Sequence, residues 1–343
     1  MPALSILDLA PIVQGGNARG ALTNSRALAQ AAESLGYRRF WLAEHHNMPG
    51  IASSATAVAI GYVAEGTMRI RVGAGGVMLP NHAPLIIAEQ FGTLASLYPG
   101  RIDLGIGRAP GTDQLTAQAL RRNLSGDIDH FPRDVMELMA YLDDEEEGQR
   151  VRAVPGAGTH VPIWILGSSL YGAQLAAMLG LPYAFASHFA PQMMMQAIDL
   201  YRASFRPSEQ LAEPYVMLGY NVCAAETDEE AQFLRPSSLQ AIIRLRRGMP
   251  GQLPPPVRGL ALSAEDEAIV SQFSQCSAVG DRDTVAGSLL DFARRTDADE
   301  LMIAGQIYDH DARIRSYEIL ADAHRGLMAA GTDEPATREL QDV

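Results

Sequence analysis

Two adjacent histidines follow a glutamate in the segment Ala43-Glu44-His45-His46-Asn47. If the chain is extended there, Glu44 and His46 face one side and His45 faces the other. The unperturbed pKa of imidazole lies close to physiological pH, so a histidine at the mouth of a cavity can act as a general acid or base. A structural histidine bonded to the glutamate is the alternative. We expect Glu44, His45 and His46 to form a catalytic group in which at least one histidine takes part in the reaction.

A pair of glycines, Gly75 and Gly76, interrupts the apolar run Ile70–Met78. Glycines weaken a strand, and they often mark a bulge or a close approach of the backbone to a ligand. Without side chains, the two residues leave room for a flat ring against the main chain. A bulge that helps to close a barrel is the alternative interpretation.

Two further segments contain groups that bind anions. Arg108 follows the run Ile102–Ile106, where its guanidinium can make charge-assisted hydrogen bonds. Gly167, Ser168 and Ser169 run directly into a helical pattern. A helix N-terminus offers free N–H groups and the positive end of the helix dipole. We therefore expect these residues to bind an anion, in particular a phosphate.

The segment Leu104–Gly111 imitates a dinucleotide-binding fingerprint, but Pro110 stands where the third glycine is expected. The N-terminal part of the chain also lacks the strand, glycine turn and helix that open a Rossmann fold. We therefore reject a Rossmann interpretation.

Eight short apolar runs of β type alternate with helical patterns along the chain. The runs are Leu4–Leu9, Arg39–Ala43, Ile70–Met78, Ile102–Ile106, Val161–Leu166, Tyr183–Ala186, Tyr215–Cys223 and Glu300–Ala304. This count and order predict the α/β class and a (β/α)8 TIM barrel, whose active site lies at the carboxyl ends of its strands. The rim of that barrel would also contain Ser187, His188 and Phe189, which follow the sixth run.

Boundary signals frame several of the predicted helices. Asn24 or Ser25 is placed to cap a helix that ends at Gly36. Pro84 fits the first turn of a later helix. Each such helix lies between two β-like runs, as the crossover between parallel strands requires.

The chain is predicted to form a single barrel domain over residues 1–330, with one insertion. The insertion, about residues 235–277, lies between the seventh and eighth strands. Its start has a helical pattern, whereas Gly248–Pro256 is rich in glycine and proline and is expected to be irregular. Long connections are commonly lids or disordered segments, and we favour a lid or a substrate-shaping element. Residues 331–343 are expected to form a flexible tail.

Composition narrows the class of protein. The chain has 343 residues, of which 47% are apolar, enough for a full barrel with a large core. Its net charge of −13 argues against a nucleic-acid binder, which needs a basic face. The N-terminus has no secretory signal pattern, and no apolar stretch reaches the ~20 residues of a membrane helix. We expect a soluble, cytoplasmic protein with neither a membrane nor a nucleic-acid partner.

A metal centre is not predicted. The chain has no HExxH pattern, and its two cysteines, Cys223 and Cys276, lie in no metal-ligand spacing. Other histidines without ligand spacing are His82, His130, His160, His188 and His310. A metal-dependent hydrolase built on the same barrel is therefore a remote alternative.

Taken together, these segments resemble the bacterial luciferase-like flavin-dependent monooxygenases. The likeness covers nearly the whole chain and is closest over residues 4–113. The matching segments are Leu4–Pro11, Ala43–Asn47, Val72–Pro84, Ala88–Gln90, Pro99–Arg108, Gly167–Ser169 and Ala298–Ala304. Within the family the chain looks most like the aldehyde-oxidising and uncharacterised luciferase-like class oxidoreductases.

The resemblance implies a two-component, FMN-dependent monooxygenase. A separate flavin reductase would supply FMNH2, which takes up O2 to form a flavin C4a-(hydro)peroxide. That species would oxidise a small, largely apolar aldehyde or ketone. The flavin ring would lie near Gly75 and Gly76, where family members commonly have a non-proline cis peptide bond. Its phosphate would bind Arg108, Ser168 and Ser169.

The same likeness assigns roles to other residues. Gly167 and Ser187 would join the cofactor site. His45 aligns with the active-site histidine of the family and would manage a proton. The substrate pocket would be lined by Met78, His188 and Phe189.

Two alternatives stay open within this fold family. An F420-dependent oxidoreductase would transfer hydride without O2, and a non-catalytic relative would bind flavin without turnover. Barrels of this family usually pair, so the resemblance also implies a homodimer.

Overall fold

Nine parallel strands form one sheet in the computed structural model, which describes residues 1–109, 114–120 and 130–330. In chain order they are β1 Ala3–Asp8, β2 Arg39–Leu42, β3 Arg71–Met78, β4 Ile102–Gly107, β5 Ile163–Gly167, β6 Tyr183–Phe185, β7 Val216–Ala224, β8 Ser277–Gly280 and β9 Glu300–Ala304. All strands except β8 are hydrogen-bonded in the order β6-β5-β4-β3-β2-β1-β9-β7, and β6 pairs with β7, which closes the barrel. Each predicted run overlaps one barrel strand, with ends that differ by at most two residues, so the predicted TIM barrel is confirmed.

Strand β8 is an addition to the barrel. It pairs in parallel with residues 221–224 of β7, at the carboxyl end of that strand. The earlier residues 217–221 of β7 pair with β9. The insertion between the seventh and eighth barrel strands therefore contributes a strand that the sequence pattern did not predict.

Helices surround the sheet in the described part of the chain. They are α1 Ala18–Leu35, α2 Thr56–Glu65, α3 Pro84–Leu97, α4 Gln114–Leu120, α5 Phe131–Leu142, α6 Leu170–Leu179, α7 Met194–Ser204, α8 Asp228–Leu234, α9 Pro236–Arg246, α10 Ala264–Phe273, α11 Arg282–Thr296 and α12 His310–Ala330. Helix α3 begins at Pro84, as predicted. None of these described helices combines the length and the apolar character needed to cross a bilayer.

Helix α1 begins earlier than predicted. Its N-cap is Asn17 rather than Asn24 or Ser25, because the Asn17 side chain accepts a hydrogen bond from the Gly20 N–H at 2.9 Å. Ser25 lies inside the helix, where its hydroxyl donates to a main-chain carbonyl one turn earlier. The predicted end is confirmed: Gly36 has a φ of 86°, a left-handed conformation that glycine adopts readily.

Alternate residues of the strands face the two sides of the barrel wall. On β2, Phe40 and Leu42 belong to the large core between sheet and helices, whereas Trp41 belongs to a smaller cluster inside the barrel. There Trp41, Trp164 and Tyr215 pack edge to face, with ring centroids 5.2 and 5.6 Å apart. The interior is thus filled by side chains, as in other barrels of this size.

Buried charges connect strands inside the barrel. Arg39 of β2 forms ion pairs with Asp103 of β4 at 2.8 Å and with Glu300 of β9 at 3.0 Å. Arg71 of β3 reaches Asp103 at 2.7 Å, and the Tyr215 hydroxyl donates to Glu300 at 2.9 Å. Burial alone would raise the pKa of Asp103, but the two guanidinium groups hold it below its ordinary value. Four barrel strands, β2, β3, β4 and β9, are joined by this network, and Tyr215 adds the residue just before β7.

The insertion is folded through much of its length. Helices α9 and α10 contact each other, and β8 follows them. Residues 248–256 contain no helix or strand, as the glycine and proline content predicted, and only an isolated bridge joins Leu253 to Val13. The predicted flexible tail, residues 331–343, lies outside the described residues.

Candidate active site

A cavity of about 910 Å³ opens at the carboxyl ends of the barrel strands. Small-molecule sites typically enclose about 300–1,000 Å³. Segments that follow β2 to β6 line the cavity, together with residues of the insertion. Most predicted site residues lie on this wall, namely His45, Gly75, Gly76, Met78, Arg108, Gly167, Ser168, Ser169, His188 and Phe189.

His45 is the member of the predicted catalytic group that lines the cavity. Its main-chain carbonyl accepts a hydrogen bond from the Ser54 hydroxyl at 2.7 Å, which fixes the backbone after β2. Glu44 and His46 are not among the lining residues; they bond to each other at 3.1 Å. The predicted division of the three side chains between two faces is therefore seen.

Glu44 anchors two imidazole rings behind the cavity wall. Its Oε1 lies 3.1 Å from His46 Nε2 and 2.9 Å from His82 Nε2. Burial alone would raise the pKa of Glu44, but bonds to His82 and then His46 hold it below its ordinary value. The Glu44 carboxylate thus supports the loops after β2 and β3. This arrangement agrees with the alternative interpretation, in which His46 is a structural histidine bonded to Glu44.

The ligand atoms of Glu44, His46 and His82 lie within 4.8 Å of one another, so these residues could together hold a metal ion. This group could not be predicted from residue spacing, because His82 is distant from Glu44 and His46 along the chain. Only the adjacency of β2 and β3 brings the three side chains together. An exposed group, Asp143, Asp144 and His160, has the same spacing property.

The glycine pair gives the cavity a surface without side chains. The peptide bond between Gly75 and Gly76 is cis, as the family resemblance implied. The strand register also shifts there, with Gly75 opposite Gly105 and Val77 opposite the next residue of β4. A side chain at Gly76 would run into the carbonyl of Gly105. Both interpretations of the pair, a bulge and an open approach to the backbone, therefore apply.

The residues predicted to bind an anion lie together where β4 and β5 end. Ser169 is the N-cap of α6, and its side chain makes no capping hydrogen bond. The guanidinium of Arg108 lies 4.1 Å from the ring centre of Tyr171 in the first turn of that helix. Arg108, Ser168 and Ser169 therefore line one section of the cavity with a cation, two hydroxyls and a helix N-terminus.

The segment after β6 contributes His188 and Phe189 to the cavity, but Ser187 does not line it. The Ser187 hydroxyl is buried and donates to the carbonyl of Gly219 at 2.7 Å, a bond that fixes the loop. The His188 carbonyl accepts a hydrogen bond from Asn221 at 2.7 Å. Ser187 therefore supports the wall from behind.

The His188 ring is held in an apolar setting. Burial, and then repulsion from His45, lowers the pKa of His188 to about 4. Its Nδ1 atom is buried and has no hydrogen-bond partner among the described residues. A side chain at Gly219 would occupy the position of this ring. His188 is therefore a neutral imidazole at pH 7 with an unused polar atom.

The insertion forms part of the cavity wall, with residues that were not predicted individually from the sequence. Ile242 and Leu245 of α9 and Phe273 of α10 line the cavity. Arg246 joins α9 to the loop after β6: its guanidinium lies 4.1 Å from the ring centre of Phe189 and donates to the Phe189 carbonyl at 2.8 Å. These residues make the insertion part of the site.

A second depression, of about 450 Å³, lies between α11 and α12 at a distance from the strand ends that carry the predicted site. Its charges are mutually paired. Arg282 reaches Asp322 at 2.6 Å, and Arg315 reaches Glu226 at 2.7 Å and Glu318 at 2.8 Å. We therefore assign the chemistry to the barrel cavity.

Two relatives of known sequence match much of this chain. A luciferase-like monooxygenase of Escherichia coli strain K12 is 56% identical over 328 residues, which cover 95% of this chain and 98% of the relative. The N-acetyl-S-alkylcysteine monooxygenase of Bacillus subtilis strain 168 is 39% identical over 238 residues, 68% of this chain and 70% of the relative.

Solved structures match over nearly the whole chain. Apo-MsnO8 is 36% identical, with a TM-score of 0.84 over 95% of this chain and 99% of that one. The oxygenating constituent of 3,6-diketocamphane monooxygenase from Pseudomonas putida, in complex with FMN, is 19% identical with a TM-score of 0.69 and covers 94% and 98%. An F420-dependent secondary alcohol dehydrogenase is 15% identical with a TM-score of 0.64 and covers 94% and 99%. The latter two show the shared fold alone.

A sequence model of the luciferase-like monooxygenases matches residues 4–334, nearly the full length. This match agrees with the high identity to the relative from E. coli and with the barrel described above. The chain belongs to the luciferase-like monooxygenase family.

Proposed function

We propose that this protein is the oxygenase component of a two-component monooxygenase. It takes reduced FMN from a separate flavin reductase and uses O2 to oxidise a small organic substrate. Family membership supplies the class of reaction, an oxidoreductase of the monooxygenase type. The observation that carries the proposal is the convergence of three features on one cavity wall: an anion site, a side-chain-free backbone surface and a histidine.

The residues present fit a flavin mononucleotide. Arg108, Ser168 and Ser169 offer a phosphate the charge, hydroxyls and helix N-terminus that such a group prefers. Gly75 and Gly76 line the cavity and would offer their main chain to a planar ring. When bound there, reduced FMN would supply the electrons that activate O2, chemistry that no protein side chain provides.

The two histidines of the cavity have different proposed roles. His45 stands at the end of β2 and would hold or move a proton at the oxygen of the substrate. His188, with a pKa of about 4, stays neutral at pH 7 and offers a hydrogen bond without a charge.

Apolar side chains support a small, largely apolar substrate such as an aldehyde or a ketone. Met78, Ile242, Leu245 and Phe273 lie on the cavity wall. Such a wall excludes water from the reacting groups, which limits wasteful loss of reactive species to solvent. The insertion contributes most of these residues, so the proposal assigns substrate selection to it.

The test is to mix an anaerobic complex of the protein and FMNH2 with O2 in a stopped-flow instrument, with and without candidate aldehydes and ketones. The proposal predicts substrate-dependent O2 consumption and oxidised product. FMNH2 without protein sets the background, because reduced flavin reacts with O2 by itself. Rapid flavin oxidation that no substrate of the panel alters, with no oxidised product, would contradict the proposal.

The F420 alternative is supported by the fold shared with an F420-dependent alcohol dehydrogenase. Replacing FMNH2 with oxidised F420 and an alcohol, or with reduced F420 and a ketone, without O2, separates the two functions. Hydride transfer between F420 and an alcohol or ketone would favour the alternative. Tight FMN binding with neither activity would indicate a non-catalytic flavin-binding relative.

A further inference from the structure

Three arginines line the cavity. Arg108, Arg235 and Arg246 lie on its wall, together with His45 and His188. None of the described residues on that wall is an aspartate or a glutamate. An uncompensated guanidinium facing a cavity is costly, because arginine stays charged at every accessible pH. Anionic ligands would therefore stabilise these arginines.

Besides Arg246, the proposed FMN site leaves Arg235 unused. It lies between α8 and α9, and its guanidinium donates to the hydroxyl of Ser274 after α10. Within the described part of the chain, it has no ion-pair partner. The ionisable side chain that interacts with it is Cys223 of β7. Burial raises the pKa of that thiol to about 12, so the thiol is neutral and does not balance the charge of Arg235.

Burial distinguishes Arg235 from Arg246. Arg246 is exposed and stacks on Phe189, so water solvates its charge. Arg235 is only partly exposed, and burial lowers its pKa below the ordinary value for arginine. A desolvated guanidinium gains far more from an anion than an exposed one does.

Arg235 and Arg108 belong to different sections of the wall. Arg108 follows β4 and contacts α6, next to Ser168 and Ser169. Arg235 contacts α10 and belongs to the section formed by the insertion and the end of β7. A phosphate held by Arg108 and α6 leaves Arg235 available to the second ligand.

We propose that Arg235 binds a carboxylate of the substrate, so that the group that is oxidised, an aldehyde or a ketone, belongs to an organic acid with an apolar body. The apolar body would lie on Ile242 and Phe273, which line the cavity from the two helices beside Arg235. The inference rests on the proposed function, because it takes FMN as the ligand at Arg108. It narrows the class of substrate that binds in the same cavity.

The test is isothermal titration of the FMN-loaded protein with octanoate and, as a neutral partner of equal length, octanol. Octanoate is expected to bind the wild type more tightly than octanol. Arg235→Gln should weaken octanoate binding by about tenfold to a hundredfold, the effect of losing one charge-assisted bond, and leave octanol binding unchanged. Arg235→Lys, which keeps the charge but loses the planar fork, should fall between the two.

Arg258→Gln is the matched control. Arg258 is an exposed arginine of the same insertion that stacks on Phe233 at 4.6 Å and does not line the cavity. It should leave octanoate binding unchanged. Equal octanoate affinities for wild type and Arg235→Gln, or no preference of the wild type for octanoate over octanol, would overturn the inference. The second comparison stands even if Arg235→Gln does not fold.

A parallel FMN titration separates this inference from the proposed function. Arg235→Gln should bind FMN as the wild type does. Weaker FMN binding in this variant would place Arg235 in the nucleotide site and overturn the inference. A wild type that binds no FMN but still binds octanoate through Arg235 would remove the proposed cofactor and leave the carboxylate site standing.

Discussion

His45 and His188 line one cavity but differ in what they can do. The loop after β2 presents His45 to the cavity, whereas Glu44 and His46 turn away from it and bond to each other. The low pKa of His188 keeps its ring neutral at pH 7, so we assign proton transfer to His45, which lines the same cavity. We therefore assign proton transfer to His45 and hydrogen bonding to His188.

Replacing His45 by alanine tests the first of these roles. His45→Ala should lower the rate of substrate oxidation by about 10²–10⁴-fold, the usual contribution of a general acid or base. FMN affinity should stay near that of the wild type, because the anion site is made by other residues. Product formation and FMN binding are measured on the same preparations.

His160→Ala is the matched control for His45→Ala, because His160 is an exposed histidine next to Asp143 and outside the cavity. It should oxidise the substrate at the wild-type rate. Unchanged turnover in His45→Ala would contradict the assigned role.

Gly219 is expected to be essential because of the ring it accommodates. In Gly219→Ala the new methyl group would overlap the imidazole of His188, and the ring would have to leave its position. We expect at least a tenfold loss of substrate oxidation with little change in FMN affinity.

Gly287→Ala is the comparison for Gly219→Ala, since nothing lies near its added methyl group on α11. There an alanine should stabilise the helix by about 0.5–1 kcal/mol. Full activity in Gly219→Ala would show that the position of the His188 ring is unimportant.

The depressed pKa of His188 predicts a loss of stability in acid. The unfolded chain binds this proton near pH 6.5 and the folded chain near pH 4, so acid favours the unfolded state. Stability from His188 is complete above pH 6.5 and is lost as the pH falls toward 4. From pH 7.5 to 4.5, the wild type should lose about 2 kcal/mol more unfolding free energy than His188→Gln. Urea titrations at both pH values measure this difference, and equal losses would contradict it.

The ion pairs inside the barrel join strands that are distant in sequence. Arg39 reaches both Asp103 and Glu300, so its removal leaves two buried carboxylates without their main partner. Arg39→Met should lower the free energy of unfolding by about 3–5 kcal/mol at pH 7, as measured by urea denaturation.

Arg315→Gln is the comparison for Arg39→Met, because Arg315 also pairs with two carboxylates but on the exposed surface. Its loss should cost about 0–1 kcal/mol. An effect of Arg39→Met as small as that of Arg315→Gln would show that the buried network adds little stability.

The barrel strands were predictable because each is a short apolar run followed by turn residues and a helical pattern. Gly36 and Pro84 also marked helix boundaries correctly. The start of α1 was missed because Asn17 and Ser25 are both good caps by residue type, and only the structure shows which one bonds to a free N–H. Strand β8 was missed because four residues carry no readable alternation; its pairing with the end of β7 defines it.

The candidate site was predictable where it depends on strand ends. Parallel strands in a closed barrel bring their carboxyl ends together, so His45, Gly75, Arg108 and Ser168 met on one wall as expected. The positions of Arg235 and His82 were not predictable. The first depends on how the insertion folds back over the barrel, and the second on a loop that returns to Glu44. Neither contact has a local pattern in the sequence.

At the scale of the whole molecule, charge is distributed unevenly. The chain carries a net charge of −13, yet the described residues on the cavity wall include three arginines and no carboxylates. A concave site of one sign concentrates ligands of the opposite sign, even on a molecule whose overall charge repels them. The cavity is thus suited to a nucleotide phosphate and to a second anion.

A crystal structure of the protein with FMN would show whether the mononucleotide binds at the carboxyl rim of the barrel. We predict density for the phosphate at the N-terminus of α6, in contact with Arg108, Ser168 and Ser169, and for the ring against Gly75 and Gly76. An empty rim at saturating FMN, or a phosphate bound elsewhere on the protein, would contradict the account.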